Sequence, residues 1–316
     1  MANVKKIAVI GAGNVGATTF QRIVDRELAN EAVITDVVEG LPQGKALDIL
    51  ESTPISGIDI HAYGSNDISE IKNSDIVIVT AGLARKPGMT RMDLLSKNAE
   101  IIQSVSRAIR THAPNSIVIM VSNPLDVTTY IAYKVTQFKP SHIMGMAGVL
   151  DSARFKTFIA EELKTSKKDI HTFLLGGHGD MMVPIISHTN VAGRPLTELL
   201  SRDAIDKIVA RTRSGGGEIV NLIKSGSAYY APSLSIIEMV ESIVYDKKRI
   251  LPCSVHLNGE YGAKGVFIGV PAKLGKDGVE GVIELKLPVE EADALQRSIT
   301  EIRKEISECP ETFLSP

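Results

Sequence analysis

Neither sign of charge dominates the 316-residue chain: 35 Lys and Arg stand against 37 Asp and Glu, a formal charge of -2. A nucleic-acid-binding module is normally strongly basic, and an acidic solvating tail is strongly the reverse, so neither is expected. Cysteine is scarce as well. Cys253 and Cys309 are too few for a disulfide framework and are not spaced as a metal clip, so we expect a reducing, cytoplasmic setting and no metal site. The chain has no apolar window of the ~18 residues that a membrane helix needs, and no internal repeat, low-complexity tract or obvious flexible linker. Lys5-Lys6 and the apolar residues after it imitate the start of a signal peptide. The glycine spacing and the polar Asn14 within that stretch favour a different reading. What is present is ordinary for a soluble globular protein: 44% hydrophobic and 23% charged residues, enough for a sizeable core. At roughly 150 residues per domain, the length suggests two domains.

Short β-branched runs alternate with amphipathic stretches through the first half. The runs are Ile7-Ala8-Val9-Ile10, Ala32-Val33-Ile34-Thr35, Ile76-Val77-Ile78-Val79 and Ile117-Val118-Ile119-Met120-Val121. Unbroken by charge, they read as strands buried on both faces, as a parallel sheet requires. Leu95, Ile102, Val105 and Ile109 recur at helical spacing between the last two. Strand–helix–strand repetition predicts right-handed βαβ units and a doubly wound α/β sheet over residues 1–145. Beyond that, residues 146–316 read as an α+β domain with antiparallel strands. Ile283, Leu285 and Leu287 alternate with Glu284 and Lys286 as in a half-solvated strand, with a hairpin signal at Asp277-Gly278 before it. Leu295, Ile299, Ile302 and Ile306, led by Glu290-Glu291, predict a closing helix.

Gly11-x-Gly13-x-x-Gly16 directly follows the first run and opens a helical stretch. This is the fingerprint of a Rossmann dinucleotide site. One glycine makes a tight turn, one lets the backbone approach a pyrophosphate, and one lets helix pack closely on strand. The helix N-terminus offers free N–H groups to the phosphates. Asp36, 20 residues after Gly16, ends the second run, where a carboxylate accepts from both ribose hydroxyls. Its charge would repel a 2′-phosphate and Val37-Val38 bring no arginine, so NAD is favoured over NADP.

Four clusters stand out for chemistry. His178 alone of seven histidines lies among glycines, in Gly176-Gly177-His178-Gly179-Asp180. Asp151 and Arg154 are three apart in a predicted helix and share a face. Arg85-Lys86-Pro87-Gly88-Met89-Thr90-Arg91 is a wholly basic loop beyond a buried strand, and Ser122-Asn123-Pro124-Leu125-Asp126 follows another strand at the same edge. Taken singly, each has an ordinary explanation: a turn containing histidine, a surface ion pair, a solvated loop and a helix start. Ligands nevertheless bind beyond the carboxyl ends of strands in open α/β sheets.

Together these clusters, with Gly40-x-x-x-Gly44-Lys45-Ala46-Leu47-Asp48 and Gly226-Ser227-Ala228-Tyr229-Tyr230, resemble the NAD-dependent 2-hydroxy acid dehydrogenases of the lactate/malate dehydrogenase family almost from end to end. The resemblance implies that His178 is the general acid/base and that Asp151 orients its imidazole and favours the charged form. It implies that Arg154 clamps the substrate carboxylate in a bidentate pair. Arg91 would close over the site and polarise the reacting carbonyl, and Asn123 would bind the substrate oxygen and help place the nicotinamide. Gly11, Gly13, Asn14, Val15, Gly16, Asp36, Asn98 and Val121 complete the implied cofactor contacts with Asn123.

In this family the residue six before the loop arginine faces the substituent on C3. Arg85 stands there, and a second guanidinium suits a distal carboxylate, so the resemblance implies malate and oxaloacetate as the small-molecule substrate pair. With pyruvate that charge would sit desolvated and unpaired. The readings that compete are a lactate dehydrogenase on the same scaffold and a non-catalytic NAD-binding module; the spacing of cysteine and histidine speaks against a metal-assisted, NAD-dependent hydrolase. A homo-oligomer, dimer or tetramer, is also implied. Ser214-Gly215-Gly216-Gly217 is unexplained by any motif. Each glycine inside a helix costs up to about 1 kcal/mol, which predicts a kink or a close backbone approach to another element.

Overall fold

The computed structural model describes residues 4–83, 91–224 and 226–316, apart from the side chains of residues 91–94. The four β-branched runs are all strands. Lys6–Ile10 forms β1, Glu31–Thr35 β2, His61–Ser65 β3, Ile76–Val79 β4, Ile117–Met120 β5 and Ile143–Gly145 β6. Helices α1 (Asn14–Asp25), α2 (Leu41–Ser56), α3 (Arg91–His112) and α4 (Leu125–Thr136) lie between them, and α5 (Gly148–Leu163) follows. The six strands pair in parallel in the order β3-β2-β1-β4-β5-β6. Alternate side chains of a strand point to opposite faces, and here both faces are covered. Ile7 and Val9 join one hydrophobic cluster, Ala8 and Ile10 another. The strand order reverses between β1 and β4, which opens a crevice at the carboxyl edge.

The second half contributes β7 (Ile170–His171), β8 (Leu174–Gly176), β9 (Met182–Pro184), β10 (Asn190–Val191), β11 (Arg194–Pro195), α6 (Leu196–Leu199), α7 (Arg202–Ile223), α8 (Tyr230–Val244), β12 (Arg249–Asn258), β13 (Lys264–Gly275), β14 (Gly278–Val282) and α9 (Val289–Glu308). Strand β12 joins β6 antiparallel, with Ser254 opposite Gly145, so one sheet runs on through β12, β13, β8 and β9, with β14 beside β13. Strands β7, β10 and β11 form a separate small sheet. Among the described residues, no helix is long and apolar enough to cross a membrane.

One expectation needs correction. Residues 283–287 are not a strand; the strand is β14, which begins at Gly278 itself. Leu285 and Leu287 do pack against the core, while the Leu285 N–H donates to the Tyr261 hydroxyl at 2.9 Å. Alternation signals one buried face, and an irregular segment tied to side chains can supply that without a ladder. Two alternatives are expected for the run at 214–217, a kink or a close backbone approach, and the helix shows no break. Helix α7 continues through it to Ile223, and only the expected close approach remains.

Candidate active site

Strand β1 ends at Ile10 and α1 begins at Asn14, so the chain reverses within three residues. Gly11 has φ +107°, and a Cβ there would lie 2.7 Å from Thr80 Oγ1. A Cβ on Gly16 would stand 1.8 Å from the Gly11 carbonyl oxygen, so only glycine lets α1 seat against the strand. Gly13 is different. Its φ of -66° suits any residue, and no atom lies within 4 Å of where its Cβ would be. Among the described residues the space beyond it is open. The first turn of α1 carries no acidic residue, so its positive potential is unopposed from within the turn.

A cleft of about 700 Å³ leads away from this turn, lined by Ile10, Thr35, Asp36, Val38 and Leu83 among others. Asp36 lies just past β2. Its carboxylate accepts the Ala12 N–H at 2.6 Å and the Val38 N–H at 2.9 Å. Val37, 96% exposed, and Val38 form an apolar lip beside it. The glycine turn, the helix end, the carboxylate and the apolar lip fit a dinucleotide. Asn14 is exposed and Val15 half-buried at the start of α1, and Val121 continues from β5. Asn98 is buried. Its amide nitrogen donates to the Asn123 and Leu83 carbonyls at 2.7 and 3.2 Å, and its oxygen accepts the Leu83 N–H. It thus ties the chain after β4 to the turn after β5.

The second group of residues comes together between α5 and the β8–β9 loop. His178 Nδ1 lies 2.9 Å from Asp151 Oδ2, and Arg154 Nη1 lies 3.3 Å from Asp151 Oδ1. One carboxylate, only 1% exposed, therefore holds both side chains. Burial works to lower the His178 pKa. Asp151, through its charge and its hydrogen bond, and then Asp126 outweigh burial and the opposing Arg154, so the imidazole titrates above its ordinary value. Gly215 lies against Arg154: a Cβ there would be 3.3 Å from Arg154 Cδ, and one on Gly216 would be 3.7 Å from Nη2. Gly215 is thus the tight one, where a Cβ would require the Arg154 side chain to shift by a few tenths of an ångström, while at Gly216 a Cβ would make ordinary contact. Nothing lies within 4 Å of a Cβ on Gly217.

Asn123 is exposed at the turn between β5 and α4. Arg85 lies outside the described residues, as does the side chain of Arg91, whose backbone opens α3. The sequence reading assigned no role to Asp126, although it lies in the cluster with Asn123. Its buried carboxylate accepts the His178 main-chain N–H at 3.0 Å and the Ser254 hydroxyl at 2.6 Å. The only available signal was an acidic residue in the first turn of a helix, which ordinarily reads as a helix-dipole partner.

Models of known families match the chain in two consecutive parts. The lactate/malate dehydrogenase NAD-binding domain covers residues 5–145, and the lactate/malate dehydrogenase alpha/beta C-terminal domain covers residues 148–312. A malate dehydrogenase of Chlorobium limicola is 59% identical over 293 residues, which is 93% of this chain and 94% of the relative. The solved apo malate dehydrogenase of Picrophilus torridus is 48% identical, with a TM-score of 0.93 and coverage of 96% of this chain and 97% of that one. The lactate dehydrogenase of Cryptosporidium parvum, solved with lactic acid and nicotinamide adenine dinucleotide, is 40% identical, with a TM-score of 0.93 and coverage of 98% and 100%.

Proposed function

The chain belongs to the lactate/malate dehydrogenase family, and on that footing we propose that it oxidises L-malate to oxaloacetate reversibly, using NAD. The observation that carries the chemistry is the Asp151 carboxylate gripping His178 on one oxygen and Arg154 on the other. Residues 1–145 hold the cofactor and residues 146–316 supply the proton-transfer and carboxylate-binding groups. The turn from Gly11 to Gly16 receives the pyrophosphate on the N–H groups of α1, with Asn14 and Val15 beside it. Asp36 receives the ribose hydroxyls and repels a 2′-phosphate. Val121 and Asn123 border the nicotinamide end, and Asn98 keeps their loop in register with Leu83. When bound, the nicotinamide supplies hydride acceptance in one direction and hydride donation in the other.

His178 takes the alcohol proton during oxidation and returns it during reduction. Asp151 holds Nδ1, which leaves Nε2 as the transferring nitrogen. The raised pKa sets the pH response. Reduction needs the imidazolium and fades as pH rises through that value; oxidation needs the neutral ring and fades as pH falls through it. Arg154 pairs with the C1 carboxylate, Arg91 polarises the carbonyl, and Arg85 pairs with the distal carboxylate that malate has and lactate lacks. Exposed Leu47 and Ile55 on α2, with Leu222, Ile223, Tyr230 and Leu234 on α7 and α8, support a homo-oligomer, dimer or tetramer. The two cysteines are free and buried, in keeping with the cytoplasm.

The similarity to a lactate dehydrogenase makes lactate the second reading. Comparing kcat/KM for oxaloacetate and pyruvate separates the two. A site built to bind the second carboxylate favours oxaloacetate by about 10⁴-fold, and Arg85→Gln removes most of that margin. A native preference for pyruvate would overturn malate as the substrate.

A further inference from the structure

The loop that carries His178 has glycine on both sides, Gly176 at φ +82° and Gly179 at φ +99°. Such a backbone has wide conformational freedom, yet the imidazole must be placed to within a fraction of an ångström for proton transfer. Asp151 fixes only the ring. The main chain beneath it is held by buried side chains from two other helices. Ser298 of α9 accepts the Gly177 N–H at 2.8 Å and donates to the Met181 carbonyl at 3.0 Å. Asp126 of α4 accepts the His178 N–H at 3.0 Å, and Ser254 of β12, fully buried, donates to the other Asp126 oxygen at 2.6 Å.

We propose that Asp126, backed by Ser254, is a positioning residue for proton transfer: it anchors the root of His178 and adds a second negative charge behind the imidazole. The proposal rests on the reading of His178 as the proton-transfer group. A carboxamide could accept the same N–H without desolvating a charge, so what the carboxylate adds is electrostatic. Burial opposes that charge and, with repulsion from Asp151, raises the Asp126 pKa. The hydrogen bonds from Ser254 and His178 and the nearby imidazole work the other way. Among the described residues, the charged groups facing the imidazole are Asp151 and Arg154 from α5 and Asp126 from α4. Removing Asp126 therefore leaves Asp151 alone against burial and Arg154.

The test is an NMR titration of the His178 ring in the cofactor-free protein, assigned by difference from His178→Asn, beside pH profiles of kcat in both directions. Asp126→Asn keeps an acceptor and loses the charge; the His178 pKa and the pH profile fall together. Asp126→Ala also frees the loop, and kcat at the optimum falls about tenfold or more while KM for oxaloacetate changes little. Ser254→Ala lowers kcat in the same direction by less, and it serves if Asp126→Ala does not fold. An unmoved ring pKa in Asp126→Asn would overturn the electrostatic part. Undiminished kcat in Asp126→Ala, or in Ser254→Ala standing in for it, would overturn the anchoring. Full turnover in His178→Asn would instead defeat the underlying reading, so the two failures are distinguishable.

Discussion

At the cofactor end, the groups that would meet a ligand are mostly main chain, and they are neighbours in sequence. Gly11 through Gly16 make the turn, and Asp36 joins them through the strand paired with β1. At the proposed proton-transfer end, every group invoked is a side chain and none is an immediate neighbour of His178. Asp151 is 27 residues from it and Asp126 is 52, and Ser254 is 128 residues from Asp126. A site made of backbone fails when a single Cβ intrudes, because a peptide cannot step aside. A site made of side chains fails when charge or hydrogen bonding changes, while its shape tolerates more.

The largest expected effect separates the two ends cleanly. His178→Asn lowers turnover by about 10²–10⁴-fold, the range for loss of a general acid/base, while the NADH dissociation constant from fluorescence titration stays within twofold. A comparable loss of NADH affinity would break the division. Next is Gly16→Ala, which must displace the Gly11 carbonyl oxygen from 1.8 Å. Overpacking of about 1–3 kcal/mol is expected in thermal unfolding, together with a weakened NADH affinity; the ring pKa of His178, by contrast, holds. The smallest effect sharpens the comparison. Gly215→Ala presses on a flexible Arg154 methylene at 3.3 Å, and an off-rotamer arginine costs about 0.5–1.5 kcal/mol, or about 2–10-fold in KM for oxaloacetate. Unfolding should move the opposite way, because alanine is the better helix residue by up to about 1 kcal/mol. An unchanged KM would show that the close approach has no bearing on the role proposed for Arg154.

Much of this architecture was legible in one dimension. Ile7, Val9, Ala8 and Ile10 read as a doubly buried strand because no polar residue interrupts them, and they are divided between the two cores as that reading requires. The alternation at 283–287 misled because burial of one face carries no information about a hydrogen-bonding neighbour. Gly215 was visible as an anomaly, since glycine opposes helix formation, but the side chain it lies against is an arginine on another helix. Asp126 gave no usable signal, because an acidic residue near a helix start is ordinary.

The sequence alone determined the parts whose physics is local: strand and helix periods and the steric demands of the glycine turn. Only the tertiary structure decided which distant residues meet. It brought Asp151 between His178 and Arg154, set Asp126 under the His178 backbone, and pressed α7 against Arg154. Such contacts depend on how layers of sheet and helix pack, and the chain between the partners is too long for local preference to dictate where its ends lie.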